Sequence, residues 1–205
     1  MRGVEQIPWI YDAICAFAEW RGLGRWRRWL VGGARGLTLD LGSGTGRNLP
    51  LYPAGVRVIG VEPSADALTR ARQRAPGTRL VRATAEALPF GDGVFDTVVC
   101  GLVLCSVSDP SRALAELRRV LRSDGQLRAL EHVRSPRPWR ARLEDAIQPA
   151  WTRLAGGCHP NRETERAVEA AGFVIESEGR RADGMMRRFA ARAGAERRPV
   201  GTMTS

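Results

Sequence analysis

The feature that most constrains this chain is a short strand pattern that runs directly into a row of alternating glycines. Residues 37–41 read Leu-Thr-Leu-Asp-Leu, and Gly42, Gly44 and Gly46 follow at every second position. Glycines in such a row permit tight turning and let the backbone approach a ligand closely. In an open α/β sheet, ligands bind beyond the carboxyl ends of the strands. The pattern therefore predicts a sheet whose ligand site begins at this loop.

Strand and helix patterns alternate along the rest of the chain. Strands are predicted at 56–61 and 95–104, and the apolar continuity of 56–61 and 98–104 is typical of strands that are buried on both faces. Residues 8–31 have the spacing of one or two short helices. This order predicts an α/β domain with a mostly parallel sheet and helices on both faces. Further strands are predicted at 78–82, 126–133, 173–177 and 185–191, and helices at 64–74, 109–122, 139–154 and 164–171.

All 32 basic residues of the 205-residue chain are arginine, and lysine is absent. A Walker-A phosphate loop and a protein kinase each need a lysine. Pyridoxal-phosphate enzymes and Schiff-base aldolases need an amine nucleophile, and short-chain dehydrogenases use a Tyr–Lys pair. The composition therefore excludes these classes, whereas the arginine bias itself is typical of a GC-rich genome.

The net charge of +10 is concentrated at the two ends of the chain. Residues 1–38 carry six arginines and three acids, and residues 180–205 carry seven arginines and two acids, whereas residues 39–179 carry 19 arginines against 17 acids. A basic protein can attract nucleic acid or anionic lipid. Because the middle of the chain is nearly neutral, a nucleic-acid partner is not expected, and a membrane surface is a possible but not favoured partner.

The four cysteines, Cys15, Cys100, Cys105 and Cys158, include no pair at CxxC spacing, and the chain has only two histidines. No metal site is expected from this pattern. Nothing indicates a disulfide framework, so a reducing cytoplasm is the expected compartment. The chain shows neither the unbroken apolar stretch of a signal peptide nor the roughly 20 apolar residues that span a bilayer.

Two acidic residues flank the glycine loop in a way that favours a nucleoside without phosphates. Asp40 comes just before the loop, where its charge disfavours a pyrophosphate and favours a cationic ligand. Glu62 ends the second predicted strand, where a carboxylate can accept both hydroxyls of a ribose. The spacing is GxGxG, and it differs from the GxGxxG of dinucleotide-binding proteins. A helix-terminal charge is the alternative interpretation of Glu62.

The ordered set of motifs resembles the class I S-adenosylmethionine-dependent methyltransferases. Residues 39–46 match the first motif of that superfamily without departure, and Thr84 stands where many relatives have aspartate. The other segments that carry the resemblance are 58–64, 83–90, 95–99 and 118–127. The resemblance implies a Rossmann-like, seven-stranded sheet with S-adenosylmethionine as cofactor. It divides the chain into an N-terminal helical lid at 1–35, a methyltransferase domain at 36–193 and a disordered tail at 194–205.

The resemblance also implies which residues bind the cofactor. Tyr11 is expected to cap it, with a Tyr anchored between the helix and the core as the equally weighted alternative. Glu86 or the backbone is expected to contact the adenine amine, because Thr84 departs from the family pattern. The implied set is Tyr11, Asp40, Gly42, Ser43, Gly44, Gly46, Asn48, Glu62, Pro63, Ala85, Glu86 and Leu102.

The second half of the chain is similar to the methyltransferase-like thiol S-methyltransferases. Residues 98–107, 131–133, 157–164 and 170–173 carry this similarity, and the bacterial proteins with this pattern include thiol-methylating enzymes of natural-product pathways. Motifs for methylating nucleic-acid amines, cytosine C5 and protein arginine are missing. A small-molecule thiol is therefore the favoured methyl acceptor. The alternative is N- or C-methylation of a phospholipid or quinone at a membrane surface, and the oligomeric state is not predicted.

The two histidines are the candidate catalytic bases. His132 lies at the end of the fifth predicted strand, and His159 lies in a Gly-Cys-His turn; packed structural histidines are the alternative for both. A thiol has an ordinary pKa near 8.5, so a weak base suffices for it. Cys158 is interpreted as a small buried residue. Tryptophans among arginines at 20–29 resemble an interfacial helix, and a lid helix with a solvated arginine face is the competing interpretation.

Overall fold

The computed structural model describes residues 22–154 and 157–194. Within them, one mixed sheet has the strand order β3-β2-β1-β4-β5-β8-β6, with β7 paired to β8. The pairings from β3 through β5 are parallel, and β8 runs antiparallel to β5, β6 and β7. The strands are β1 (Leu37–Leu41), β2 (Arg57–Val61), β3 (Arg79–Val81), β4 (Phe95–Gly101), β5 (Leu121–His132), β6 (Phe173–Ile175), β7 (Arg181–Asp183) and β8 (Met186–Ala193).

Within the described ranges, five α-helices accompany these strands, together with a short 3-10 helix at Leu49–Leu51. Helix α2 begins after Ser64, whose Oγ accepts the amide of Ala67. Helix α3 begins after Asp109, whose carboxylate accepts the amide of Arg112. Such caps satisfy amides that lack a partner at a helix start. The helices are α1 (Gly24–Gly32), α2 (Ala65–Arg74), α3 (Pro110–Val120), α4 (Pro138–Leu154) and α5 (Thr164–Ala170).

The α/β fold with a mostly parallel sheet is confirmed, and the strand count differs by one from the predicted seven. Both β6 and β7 pair with β8 along the same edge, β6 with residues 191–193 and β7 with residues 186–188. The sheet therefore has seven positions, and two short strands share the last one.

The end of α3 also differs from the prediction. The sequence predicts a helix that continues to 122 and stops at the turn 123–125, but the helix ends at Val120 and β5 begins at Leu121. Leu121 pairs with Phe95, and the next pair is Gln126 with Thr97, so residues 122–125 form an irregularity in the ladder.

Helix α1, at the end of the predicted lid, packs on the sheet through an arginine anchor. Leu30 and Val31 are fully buried against Val99 and Leu130. Arg128 of β5 donates to the carbonyls of Trp29 and Leu30 at 2.6 and 2.7 Å. Its guanidinium also stacks on the Trp29 ring, and charge-assisted hydrogen bonds of this kind are among the stronger ones in proteins.

Two tryptophans of α1 contact the protein interior, although the sequence pattern resembles that of an interfacial helix. Trp26 and Trp29 both pack against the buried cluster of Leu30, Val99 and Leu130. Arg188 of β8 lies over both rings. This packing favours the competing interpretation of a lid helix, but its arginine face is not wholly solvated, because Arg27 is buried and donates to Oδ1 of Asn48. Among the described residues, no helix combines the length and apolarity needed to cross a membrane.

Candidate active site

An open cleft of about 680 Å³ lies at the carboxyl ends of β1, β2 and β4. This is where open α/β sheets bind ligands. Four stretches of chain line it: the glycine loop, the β2–α2 junction, residues 82–86 and the segment after β4. The lining residues are Leu41, Gly42, Gly44, Thr45, Val61, Glu62, Pro63, Ser64, Ala65, Asp66, Ala67, Arg82, Ala83, Thr84, Ala85, Glu86, Gly101, Leu102, Val103, Ser106, Val107 and Ser108.

The glycine loop has a backbone shape that larger residues do not fit. Gly42 has a φ of 61°, and a Cβ there would lie 2.4 Å from the Val103 side chain. Gly46 has a φ of 81°, and a Cβ there would lie 2.9 Å from Cα of Ala71. The amide of Ser43 donates to the carbonyl of Val61 at 2.9 Å. The loop is thereby held against β2 with its backbone along the cleft.

Glu62 ends β2 with its carboxylate fixed in the cleft wall. Its two oxygens accept the amides of Gly44 at 3.1 Å and Ser64 at 2.9 Å. Burial raises the pKa of Glu62, and the two amide donors oppose that rise. Each carboxylate oxygen has further lone pairs, so Glu62 can accept hydrogen bonds from a ligand in the cleft.

Asp40 lies directly behind the glycine loop and is completely buried. Its Oδ1 accepts the Tyr52 hydroxyl at 3.0 Å and the Asn48 amide at 3.3 Å. Its Oδ2 has no hydrogen-bond partner within residues 22–154 and 157–194. Burial raises the pKa of Asp40 to about 6, although these hydrogen bonds favour the charged form. Asn48 in turn lies behind Gly101 of the cleft wall, since a Cβ on Gly101 would meet its Nδ2 at 3.1 Å.

We expect Asp40→Asn to stabilise the ligand-free protein increasingly as the pH rises. The pKa of Asp40 is raised from 3.8 in the unfolded chain to about 6 in the folded protein. Below pH about 4 Asp40 is protonated in both states, and the wild type has its full stability. As the pH rises through 6, folding must keep a buried carboxylate charged, and that stability is lost. A pKa difference of about two between the unfolded and folded states corresponds to roughly 3 kcal/mol. Urea unfolding between pH 3.5 and 7.5 should show the stabilities of the two proteins diverging by about that amount, and a constant difference would contradict the prediction.

The wall formed by residues 82–86 is tied to the opposite lip of the cleft. One Glu86 carboxylate oxygen accepts the amides of Ser108 and Asp109 at 3.0 and 3.3 Å. Arg112 donates to the Glu86 carbonyl at 3.0 Å. These bonds hold the two sides of the cleft at a fixed separation. They also occupy an oxygen of the side chain that the sequence assigned to the adenine amine.

The segment after β4 is the strained part of the cleft. Leu102 has a φ of 64°, which no other described non-glycine residue shares, and such a conformation costs about 1–2 kcal/mol. The buried carboxylate of Glu131 compensates by accepting three successive amides, those of Val103, Leu104 and Cys105, at 3.0–3.2 Å. Burial raises the pKa of Glu131 to about 7 against these bonds.

The two predicted bases lie beside the cleft and not among its lining residues. Nδ1 of His132 is 3.4 Å from Sγ of Cys158, which is 3.7 Å from Sγ of Cys105. The hydrogen bond with Cys105 and the nearby His132 lower the pKa of Cys158, whereas that of Cys105 is raised. His159 donates its amide to the Cys105 carbonyl at 2.7 Å. Within the described ranges, its Nδ1 is buried without a partner.

The predicted site residues fall into three groups. Gly42, Gly44, Glu62, Pro63, Ala85, Glu86 and Leu102 line the cleft. Asp40, Ser43, Gly46 and Asn48 form the layer behind it, with Ser43 Oγ donating to the Asp40 carbonyl. His132 and His159 surround the two cysteines, and Tyr11 lies outside the described residues.

Sequence reasoning missed Glu131 and Tyr52 as supports of the site. A glutamate within the apolar fifth strand was the available signal for Glu131, because a buried acid requires partners. Nothing in the sequence around Tyr52 indicates that its hydroxyl donates to Asp40.

The fold is shared with solved S-adenosylmethionine-dependent methyltransferases. A SAM-dependent methyltransferase of Thermotoga maritima, described as a possible histamine N-methyltransferase, superposes with a TM-score of 0.69. It is 24% identical, and the match covers 93% of this chain and 98% of that one. Residues 39–129 match the family model described as a methyltransferase domain. Residues 39–129 therefore resemble a methyltransferase domain, and the fold is shared with a solved S-adenosylmethionine-dependent enzyme.

Two curated relatives illustrate the acceptors found among similar proteins. Human thiol S-methyltransferase TMT1B is 39% identical over 143 residues, which make up 66% of this chain and 59% of that protein. The phosphatidylethanolamine N-methyltransferase of Cereibacter sphaeroides is 35% identical over 118 residues, covering 55% of this chain and 58% of that protein. The chain thus spans about three fifths of the length of these relatives. The predicted fold is confirmed, and the similarity to these methyltransferases agrees with the predicted class.

Proposed function

We propose that this protein methylates the sulfur of a small-molecule thiol, with S-adenosylmethionine as donor. The main support for S-adenosylmethionine as donor is the Glu62 carboxylate, which the amides of Gly44 and Ser64 hold in a cleft bordered by a glycine loop. The acceptor is supported by the 39% identity to a thiol S-methyltransferase. The near-neutral charge of residues 39–179 also favours a small acceptor over nucleic acid.

The cleft fits the proposed donor in shape and in chemistry. Gly42 and Gly44 leave room for a nucleoside against the backbone, and Glu62 can accept the two ribose hydroxyls. Pro63, Ala85 and Glu86 border the space proposed for the adenine. Asp40, supported by Asn48, contributes negative charge behind the part of the cleft that would hold the cationic end. Leu102 borders the space between donor and acceptor.

For methyl transfer, the main task of the protein is to align the acceptor sulfur with the methyl group of the donor. The bound donor supplies an activated methyl group: the acceptor sulfur forms the new S–C bond as the sulfonium S–C bond breaks, and the thiol proton passes to solvent or a weak base. Holding the reacting atoms in line at about 3–3.5 Å can supply roughly 7–11 kcal/mol of the barrier. The fixed lips of the cleft suit this role, and the catalytic roles of His132 and His159 stay predictions.

A phospholipid acceptor is the second candidate, because α4 presents an exposed apolar stripe. Trp139, Leu143, Ile147 and Trp151 recur every fourth residue and are 60, 55, 40 and 38% exposed. An apolar face flanked by arginines is typical of helices that lie on a membrane surface, and Arg140 and Arg142 lie on the same helix. The 35% identity to a phosphatidylethanolamine N-methyltransferase supports the same alternative.

One acceptor panel separates the two candidates. The full chain is incubated with S-adenosylmethionine and small thiols, amines, phenols, reduced quinones or phosphatidylethanolamine vesicles, and methylated products are read by mass spectrometry. We expect thioethers from the thiols, and no product from Glu62→Ala at the same donor concentration. Turnover of vesicles but not of thiols would overturn the thiol proposal. The lipid alternative additionally requires that turnover be lost in Trp139→Glu and kept in Val174→Glu, an exposed position on β6.

A further inference from the structure

A cluster of sulfur and nitrogen atoms lies beside the cleft, and the proposed function does not use it. Cys105 follows β4, His132 ends β5 and Cys158 precedes α5. The two Sγ atoms are 3.7 Å apart, and Nδ1 of His132 lies 3.4 Å from Sγ of Cys158. A potential ligand atom from each of the three residues lies within 4.8 Å of the other two.

The two measured separations match those between the ligand atoms of a tetrahedral metal site. Zn–S bonds of about 2.3 Å and Zn–N bonds of about 2.0–2.1 Å place two sulfur ligands about 3.8 Å apart, and sulfur and nitrogen about 3.6 Å apart. A disulfide would instead need a sulfur–sulfur distance near 2.05 Å. We propose that Cys105, His132 and Cys158 bind a divalent ion of the zinc type, although the cysteine spacing in the sequence predicts no metal site.

The backbone of both cysteines is already held in place. The amide of Cys105 donates to Glu131 at 3.2 Å, and its carbonyl accepts the amide of His159 at 2.7 Å. The hydroxyl of Thr152 donates to the carbonyl of Cys158 at 3.0 Å. Hydrogen bonds that fix the residues around a metal site orient its ligands, so binding requires little rearrangement.

The charges around the cluster balance when a divalent cation is present. Binding of such an ion displaces the two thiol protons, so the two thiolates would then supply two negative charges, while the nearby Glu131 carboxylate and Arg162 guanidinium carry opposite charges when both are ionised. Arg162 is fixed close by, because it donates to the carbonyls of Leu104 and Val107 at 2.8 Å. A doubly charged ion would make the group neutral, and buried charges are stable only when they are compensated.

The two cysteines are not ordinary core residues. Both are buried, yet they form a cluster of their own that is separate from the main apolar core. Cys100 of β4, by contrast, belongs to that core. Paired thiols beside an imidazole favour zinc or a similar soft ion over magnesium or calcium, which prefer oxygen ligands.

The three protein ligands leave one tetrahedral position for water or a small ligand. Ser106 follows Cys105 directly, and its Oγ lies 3.6 Å from the Cys105 sulfur. Because Ser106 also lines the cleft, the proposed ion would border the cleft wall.

Metal titration of the reduced, chelator-stripped full chain tests the proposal without measuring activity. Zn²⁺ is titrated in competition with a chromophoric chelator, and Co²⁺ is followed by its absorption spectrum. We expect one ion per chain and a thiolate-to-cobalt charge-transfer band. Cys158→Ala and His132→Ala should each weaken binding by about 100-fold or more, since losing a group that only supports a ligand already costs about 10–100-fold. Cys100→Ala, the matched control, should bind as the wild type does.

Several outcomes would overturn the metal site. These are no cobalt–thiolate band, a Cys105–Cys158 disulfide with no uptake after reduction, or unchanged binding in both ligand variants. Circular dichroism checks that each variant folds. If one does not, alkylation of the wild type decides the question: Zn²⁺ should protect Cys105 and Cys158 from a thiol reagent, and unchanged labelling would exclude coordination. None of these readouts depends on the methyl acceptor.

Discussion

Glu62→Ala is expected to weaken S-adenosylmethionine binding by about 100-fold. Hydrogen bonds to a charged group contribute about 1.5–3 kcal/mol each, and the proposed contact uses both ribose hydroxyls. A loss near 3 kcal/mol corresponds to about two powers of ten in Kd. The substitution also frees the amides of Gly44 and Ser64, which the carboxylate now holds. Isothermal titration calorimetry with the donor or its demethylated product measures the effect.

A matched acid elsewhere on the surface controls for the change in net charge. Glu178 is exposed and lies outside the cleft, so Glu178→Ala should bind the donor with unchanged affinity. Thermal unfolding of the two variants should differ little, because Glu62 is only partly buried. Wild-type affinity in Glu62→Ala would remove Glu62 from the proposed donor site.

Glu131→Ala is expected to cause a large loss of stability. Glu131 is completely buried and accepts three consecutive amides. Each buried donor left without an acceptor costs about 1–3 kcal/mol, so the free energy of unfolding should fall by more than about 3 kcal/mol. For a domain of this size that lowers Tm by roughly 6–12 °C. Differential scanning fluorimetry or urea unfolding checks it.

The glutamine variant separates hydrogen bonding from packing at the same position. Oε1 of Glu131 accepts two of the three amides, those of Val103 and Leu104, and Oε2 accepts that of Cys105. Glu131→Gln can keep the first pair with its carbonyl oxygen but turns an NH2 group toward Cys105. We expect an intermediate loss of stability. Equal stability of the alanine variant and the wild type would mean that the three amides find other acceptors.

The glycine loop and the strands around it were predictable because their signals are local. Gly42 and Gly46 stand where the turn needs positive φ and close packing, and Ser64 and Asp109 begin the predicted helices. The sequence did not indicate that the last position of the sheet is shared by two strands, β6 and β7. Each of these strands has only three residues, which is too short for a periodic pattern.

The cluster of Cys105, His132 and Cys158 could not be predicted from local sequence patterns, because its residues are far apart in the chain. Cys105 follows β4 and His132 ends β5, and these two strands are neighbours, since Cys100 pairs with Ala129. The strand order therefore brings the two residues together. Cys158 arrives only after α4, and no spacing rule connects it to the other two. Similarly, the arginines and tryptophans of α1 resembled a membrane helix because their partners, Arg128 and Arg188, lie far along the chain.

The shortness of the outer strands has a consequence for how the protein behaves at high concentration. β3 forms one border of the sheet with three residues, and β6 and β7 form the other with three residues each. Arg79, Arg181 and Asp183 are exposed on these borders. Short, charged outer strands give another chain little continuous backbone to pair with. Strand-by-strand association into larger aggregates is therefore disfavoured by the fold itself.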